Sequence, residues 1–358
     1  MQVFHLSHID LDGYACQFVS LHFFENIHFY NANYGKEVGA KLEEIARNTL
    51  LSKEHEILWL ITDLNLTPAE CAFLEERAQK LEELGKRVKI MLLDHHISGS
   101  ESAEKYLWYK LDNERCATKI TFMTLSEEFQ RGDFCGLDSP NVLVASKEMR
   151  EFVEMVNAID LWREESPYFE LGKVFMRMIV ETKELNRYMF DVEHREYKFG
   201  MLKEAWQYLL DSRGHIHLDN AMHAMKKRLL HGEVEQDTLD NIASAYQVAL
   251  LGQKRESCTI NYRDYKGFLS YSMGSISVLA NEFLRTFSEF DFFMDVGTRG
   301  QVSLRANNRC DVSAMSAELF GGGGHKNAAG GRIEGFKESF LYAEVKSAIE
   351  KIIKEKVK

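Results

Sequence analysis

Three short apolar segments in the N-terminal third of the chain, QVFHL, ILWLITDLN and VKIMLLDHH, read as strands separated by helical stretches. This alternation constrains the fold more than any other feature, because strand, helix, strand at this spacing implies a parallel sheet with right-handed crossovers. The first strand is followed by YACQFVSLHFF, with apolar residues at helical spacing. The second is followed by TPAECAFLEERAQKLEELGKR, where Thr67 can cap the helix and Pro68 suits its first position. Glu70 completes a capping box there, and Gly85 suits the stop. Open parallel sheets bind ligands beyond the carboxyl ends of their strands. The three strands end in the polar stretches SHIDLDG, TDLN and DHH, so function is expected at that edge.

Residues 115 to 165 have a helical pattern, and MREFVEMVNAIDLW puts Asp160 near the end of an amphipathic segment. Residues 170 to 250 are predominantly helical as well. The character then changes. SCTINYRDYKGFLSYSM and FDFFMDVGTRGQVSLRANN read as strand pairs, with turns at Asp264 to Gly267 and Gly297 to Gly300. ISVLANEFLRTF between them reads as a helix, as does DVSAMSAELF, capped by Asp311 or Ser313, and GGGGHKNAAGG reads as a loop. The expected class is α/β, with a parallel-sheet domain at 1–190, a helical connector at 191–240 and a smaller α/β domain at 241–358.

The 358 residues, 45% hydrophobic and with only three prolines, indicate a folded chain without long flexible tracts. Apolar runs such as ILWLI and VALL fall far short of the roughly 20 residues that span a bilayer. MQVFHLSH has neither a basic start nor an extended apolar stretch, so no signal peptide is expected, and a cytoplasmic location follows by default. Cys16, Cys71, Cys116, Cys135, Cys258 and Cys310 show no C-x-x-C spacing. They read as small buried apolar residues rather than a zinc or disulfide framework. A formal charge of −11 argues against coating long duplex nucleic acid, yet leaves room for a small anion held by local cations.

The strand ends supply His8, Asp10 and Asp12, then Asp63, then Asp94, His95 and His96, with Asp160 able to join them. A lone aspartate at a strand end is usually a turn-former or cap. Their joint occurrence at three successive ends points to metal binding. So many oxygen and imidazole ligands suit two divalent ions, manganese first, with magnesium, iron or cobalt as alternatives. Asp63, alone at the middle strand end, is the natural bridge. His215 and His217 have ligand-like spacing but no evident acidic set, and are read as structural or surface residues.

In the second half, glycines of GGGGHKNAAGG let backbone N–H groups approach an anion, and the small residues after them can start a helix. Gly322, Gly323, Gly324, His325 and Lys326 are gathered there, and Arg305 in VSLRANN can take phosphate oxygens bidentately.

Together these motifs resemble the DHH family of phosphoesterases with a C-terminal DHHA1 domain: HIDLDG, TDL, LLDHH, NAID and GGGGHKNAAGG match its signatures over nearly the whole chain. The resemblance implies a DHH domain and a DHHA1 domain with the active site in the cleft between them, and two metal ions, usually manganese. One would be held by His8, Asp10 and Asp63, the other by Asp12, Asp63, His95 and Asp160. Asp94 would orient a neighbour, His96 would face the phosphate, and Arg305, Gly322 to Gly324 and His325 would bind substrate. Many members space the first motif as H-x-x-x-D-x-D; the compact H-x-D-x-D-G here resembles the Bacillus-type nanoRNase and pAp phosphatase branch.

The expected function is therefore hydrolysis of short oligoribonucleotides or nucleotide bisphosphates such as pAp, by a hydroxide bridging the two metals. The alternatives are a linear or cyclic dinucleotide phosphodiesterase and, in another class, a catalytically silent nucleotide-binding regulator. No membrane partner is expected, and a homodimer contact is left open.

Overall fold

A computed structural model of the chain describes residues 1–132 and 146–357. Cys135 and part of the helical stretch expected at 115 to 165 lie outside the described residues. The chain forms two compact units, Met1–Glu181 with Met201–Ala221, and Thr182–Gly200 with Met222–Lys358.

The first unit opens with β1 (Gln2–Ser7), α1 (Leu11–Ser20), β2 (Ile27–Asn31), α2 (Lys36–Leu51), β3 (Glu56–Thr62), α3 (Pro68–Glu83) and β4 (Arg87–Asp94). A short α4 (Ser100–Lys105) leads to β5 (Tyr109–Leu111), and α5 (Ala117–Arg131), α6 (Lys147–Asp160) and α7 (Phe169–Glu181) follow. The five strands are all parallel, in the order β2-β1-β3-β4-β5. β1 is buried along its whole length and β3 along all but its first residue, as in a sheet covered on both faces. One face packs Phe4, Trp59, Leu42 and Leu74 into a single apolar cluster. α3 starts as its sequence dictates: Thr67 Oγ1 accepts from Glu70 N–H at 3.3 Å, and Glu70 Oε2 accepts from Thr67 N–H at 2.8 Å. β2 and β5 were not evident from the sequence. Tyr30 and Asn31 are the only fully buried residues of β2, and β5 is three residues long, so neither shows a sustained apolar pattern.

α8 (Asp191–Ala205) and α9 (Gly214–Leu229) each begin in one unit and end in the other. Trp206, just after α8, belongs to the first unit and packs its ring 5.6 Å from Phe18 and 5.3 Å from Phe152.

The second unit continues with α10 (Leu239–Gln253), the short α11 (Arg255–Cys258), β6 (Thr259–Tyr262), β7 (Tyr265–Tyr271), α12 (Ser277–Thr286), β8 (Phe292–Val296) and β9 (Gln301–Ala306). It ends with α13 (Val312–Phe320), β10 (Gly323–His325), β11 (Ala328–Arg332) and α14 (Tyr342–Lys356). Its mixed sheet runs β10-β11-β9-β8-β7-β6, and only β7 and β8 pair in parallel. Asp311 caps α13, accepting from Ser313 N–H at 3.0 Å and Ala314 N–H at 3.1 Å.

GGGGHKNAAGG is not a loop that opens a helix. It folds as the edge hairpin of β10 and β11. Its glycines serve close packing: a Cβ on Gly322 would stand 2.1 Å from Gly330 O, and one on Gly324, whose φ is 150, would stand 2.5 Å from Ala328 O. Gly323 has open space around its Cβ position.

Asp295, buried on β8, accepts from Ser270 Oγ at 2.7 Å and Met273 N–H at 3.1 Å. Burial outweighs these bonds and pushes its carboxyl from 3.8 up to about 6. The folded chain thus holds this proton more tightly than the unfolded chain, so the stability it contributes is full below pH 3.8 and falls as pH rises through 6. Asp295→Asn is expected to flatten the dependence of unfolding free energy on pH across that window. A slope equal to the wild-type one would refute this assignment.

The five described cysteines are buried and free, as expected of apolar core residues. Among the described residues, no helix is long and apolar enough to cross a membrane.

Candidate functional site

Strand register builds the edge of the first sheet. Ser7, Thr62 and Leu93 lie in one row across β1, β3 and β4. The next residues, His8, Asp63 and Asp94, therefore emerge together. β1 and β3 also flank the point where strand order reverses, which is where open sheets bind ligands. Asp63 has φ 56, a left-handed conformation that aspartate tolerates better than most residues.

α1 brings two more carboxylates. Asp10 is its N-cap, with Oδ1 accepting from Gly13 N–H at 3.0 Å and Oδ2 lying 2.9 Å from His8 Nδ1. A Cβ on Gly13 would stand 2.3 Å from His8 O, so only glycine allows the first turn to press against His8. Asp12 is buried, and its carboxylate accepts N–H bonds from Ala117 at 2.7 Å and Thr118 at 2.8 Å at the start of α5.

His95 joins the sets. Its Nε2 lies 3.4 Å from Asp63 Oδ1, 3.6 Å from Asp160 Oδ2 and 3.9 Å from Asp12 Oδ2. Asp160 is the last residue of α6. Three groups place one ligand atom per residue within 4.8 Å of one another: His8, Asp10 and Asp63; Asp12, His95 and Asp160; and Asp63, His95 and His96. Asp63 and His95 each belong to two groups, so the three form a continuous row.

The charges in this row are crowded. Burial, then Asp12, Asp10 and Asp160, push the Asp63 carboxyl well above its usual range. Burial raises Asp12 as well, and burial with Asp12 and Asp10 pushes Asp160 up to about 9. Burial lowers His95. Asp63 Oδ2 is buried without a hydrogen-bond partner among the described residues, and lies 3.7 Å from His8 Nδ1, which is turned to Asp10. Set against burial, His8 holds Asp10 down at about 2, while Asp12, Asp63 and Asp160 are pushed toward protonation; carboxylates crowded in this way fit divalent cations. The oxygen and imidazole donors suit Mn²⁺ or a similar ion.

Asp94 is fully buried, and both its oxygens are taken. Oδ1 accepts from His96 Nδ1–H at 2.7 Å and Oδ2 from Tyr109 O–H at 2.7 Å. The Asp94 hydrogen bond, set against burial, holds His96 above its usual value. The other imidazole nitrogen, Nε2, lies 3.0 Å from Tyr34 Oη. Burial and the surrounding carboxylates, Asp63 first, push the Tyr34 phenol upward.

In the second unit, Arg305, Ala328 and His325 occupy one row across β9, β11 and β10. Arg305 donates to Ser277 Oγ at 2.9 Å and to Leu304 O at 2.8 Å.

Tyr34, Asn33 and Tyr109 are neighbours of the site that the sequence did not single out. The signal for the first two is ANYG, a fourth polar strand end concealed by the weak pattern of β2. Contrary to the reading of GHIH, an acidic partner does stand beside His217, whose Nδ1 bonds Asp211. Neither His215 nor His217 enters any of the three groups.

A protein named 3',5'-cyclic-nucleotide phosphodiesterase from Helicobacter pylori (strain ATCC 700392 / 26695) is 50% identical over 352 residues, 98% of this chain and 99% of that one. The crystal structure of an uncharacterized protein from Helicobacter pylori G27 superposes with a TM-score of 0.93 at 49% identity, over 99% of both chains. RecJ from Thermus thermophilus, in complex with Mn²⁺, is far more remote, at 15% identity and a TM-score of 0.30 over 99% of this chain and 52% of that one. No family model matches the chain.

Proposed function

The chain belongs to the DHH superfamily of phosphoesterases and is a hydrolase acting on phosphoester bonds, and from that premise we propose that it breaks the 3',5'-phosphodiester bond of small ribonucleotides. Short oligoribonucleotides are the leading substrate class. The observation that supports metal-dependent diester hydrolysis is the continuous row of ligand groups joined through Asp63 and His95, and the oligoribonucleotide class rests on the likeness of HIDLDG to the nanoRNase motif.

His8, Asp10 and Asp63 would hold one divalent ion, and Asp12, His95 and Asp160, with Asp63 beside them, would hold the other, with Mn²⁺ as the first choice. Such ions would supply a water of lowered pKa and neutralise charge on phosphoryl oxygens. Asp63 and His95 fix the spacing of the two ligand sets, and the α5 N–H groups keep Asp12 from turning away. Asp94 fixes the His96 ring, and Nε2 exchanges its contact with the Tyr34 hydroxyl for a phosphoryl oxygen and supplies a proton to the leaving oxygen. Arg305 and His325, with the open backbone of Gly323, are assigned to a further phosphate or the terminal nucleotide, whereas the Gly322 N–H is already given to Ser316 O and Gly324 is closely packed.

A second reading, 3',5'-cyclic nucleotides, is favoured by the activity in the name of the Helicobacter relative. A cyclic nucleotide and an oligonucleotide share the same diester bond, whereas the phosphate removed from pAp is a monoester. Turnover under Mn²⁺ titration on pAp, a dinucleotide, a five-mer, a 3',5'-cyclic nucleotide and a cyclic dinucleotide separates these. The dinucleotide and five-mer are expected to lead. A wide preference for the cyclic mononucleotide would replace the leading class with the second reading, and a wide preference for pAp would sink the diester assignment.

A further inference from the structure

Tyr34 stands at the edge of the row formed by the candidate ligands. Its ring lies 4.6 Å from that of His8 and 5.8 Å from that of His96, centroid to centroid, and its hydroxyl reaches His96 Nε2 at 3.0 Å. The residue is nonetheless 43% exposed. The hydroxyl end is committed to the site while the residue as a whole stays partly open.

The loop that carries it is ordered by its own bonds. Asn33 Oδ1 accepts from Tyr34 N–H at 2.9 Å and lies 3.4 Å from His8 Nε2, and Asn33 N–H donates to Glu37 Oε2 at 2.8 Å. Ala32 before it is fully buried, and Gly35 after it has φ 88, which lets the chain turn into α2. Side chains held in this way bind with little further ordering cost.

The diester reading puts a phosphate beside His96, and the groups adjoining that phosphate are a sugar and a base. We propose that Tyr34 is a substrate-positioning residue whose ring stacks on the nucleobase next to the scissile phosphate, its hydroxyl giving up His96 Nε2 to that phosphate when substrate binds. Stacking accepts any base, because every base has a π face. Affinity from this ring therefore suits an enzyme that takes short nucleotides without reading their sequence. The inference rests on the nucleotide diester reading above.

The test uses the Mn²⁺-loaded full chain and two probes: a slowly cleaved phosphorothioate diadenosine, and the same molecule with abasic ribose in place of one nucleoside. Binding is measured by calorimetry, with kcat and KM on the ordinary dinucleotide. Tyr34→Leu is expected to weaken the base-bearing probe by about tenfold or more while moving the abasic probe by no more than about twofold. Tyr34→Phe keeps the preference for the base-bearing probe, because the ring remains. Tyr34→Trp keeps the preference.

Equal weakening of both probes in the leucine variant, or no weakening of either, overturns the proposal. If that variant melts below the assay temperature, the tryptophan variant decides: loss of the base preference there overturns it. A wild type that cleaves the dinucleotide but binds both probes equally overturns the stacking role alone. A wild type that neither binds nor cleaves any of them overturns the diester reading with it.

Discussion

Asp63→Asn is expected to lower Mn²⁺-dependent hydrolysis by about 10³-fold or more and to make the ion-free protein more stable. Asparagine has the same shape and tolerates the left-handed φ of 56 at this position. It removes one of the carboxylates crowded around His95 and leaves the backbone of the sheet edge in place. Because burial raises the Asp63 carboxyl, its ionisation opposes folding, so the advantage of the amide is absent at low pH and grows as pH rises. A gain of about 1 kcal/mol corresponds to roughly 2 to 4 °C in melting temperature for a unit of this size. Melting curves in chelator, then in rising Mn²⁺, check both halves. The wild-type curve should climb with Mn²⁺ by mass action and the variant's should stay flat. A variant that retains activity and is still stabilised by Mn²⁺ would show that Asp63 is not the shared ligand.

Asp94→Asn is expected to reduce kcat by about 10²-fold or more, with little change in the response of melting temperature to Mn²⁺. Both Asp94 oxygens accept hydrogen bonds, from His96 Nδ1–H and from Tyr109 O–H. An amide offers one acceptor and one donor, so it satisfies only one of these partners. If its NH₂ faces His96, the imidazole must carry its proton on Nε2 in the neutral form, reversing the tautomer that Asp94 sets. If its NH₂ faces Tyr109, the phenol must turn its hydrogen away inside a buried site. Both arrangements also remove the negative charge that holds His96 above its usual value, while His8, Asp10, Asp12 and His95 are unchanged. A variant with wild-type kcat would remove His96 from the chemistry, and one no longer stabilised by Mn²⁺ would place Asp94 among the ligands.

The strand ends were legible in the sequence because strong apolar runs stop abruptly at acids and histidines, and a parallel sheet aligns those stops. α3 was legible for a local reason, since a capping box needs only residues three apart. Tyr109 was invisible because it reaches Asp94 through β5, whose pairing with β4 is three residues long and set by tertiary packing. Tyr34 was concealed behind a strand whose alternate residues are polar. The glycine run was misread as a loop because flexibility and close approach have the same sequence signature. Its glycines let β10, β11 and α13 touch at distances that no side chain would permit. Arg305 and His325 were each visible, but their common row depends on strand pairings that sequence spacing does not encode.

The passage of the chain between its two units, through α8 and α9, bears on inheritance. The unit carrying the acidic and histidine row is completed by residues 201–221, and Trp206 among them packs on Phe18 and Phe152. A recombination event that transferred only the stretch up to Glu181 would carry every candidate metal ligand yet leave that aromatic packing unfilled. The first unit is therefore complete only in a segment that runs past Glu181 through α8 and into α9.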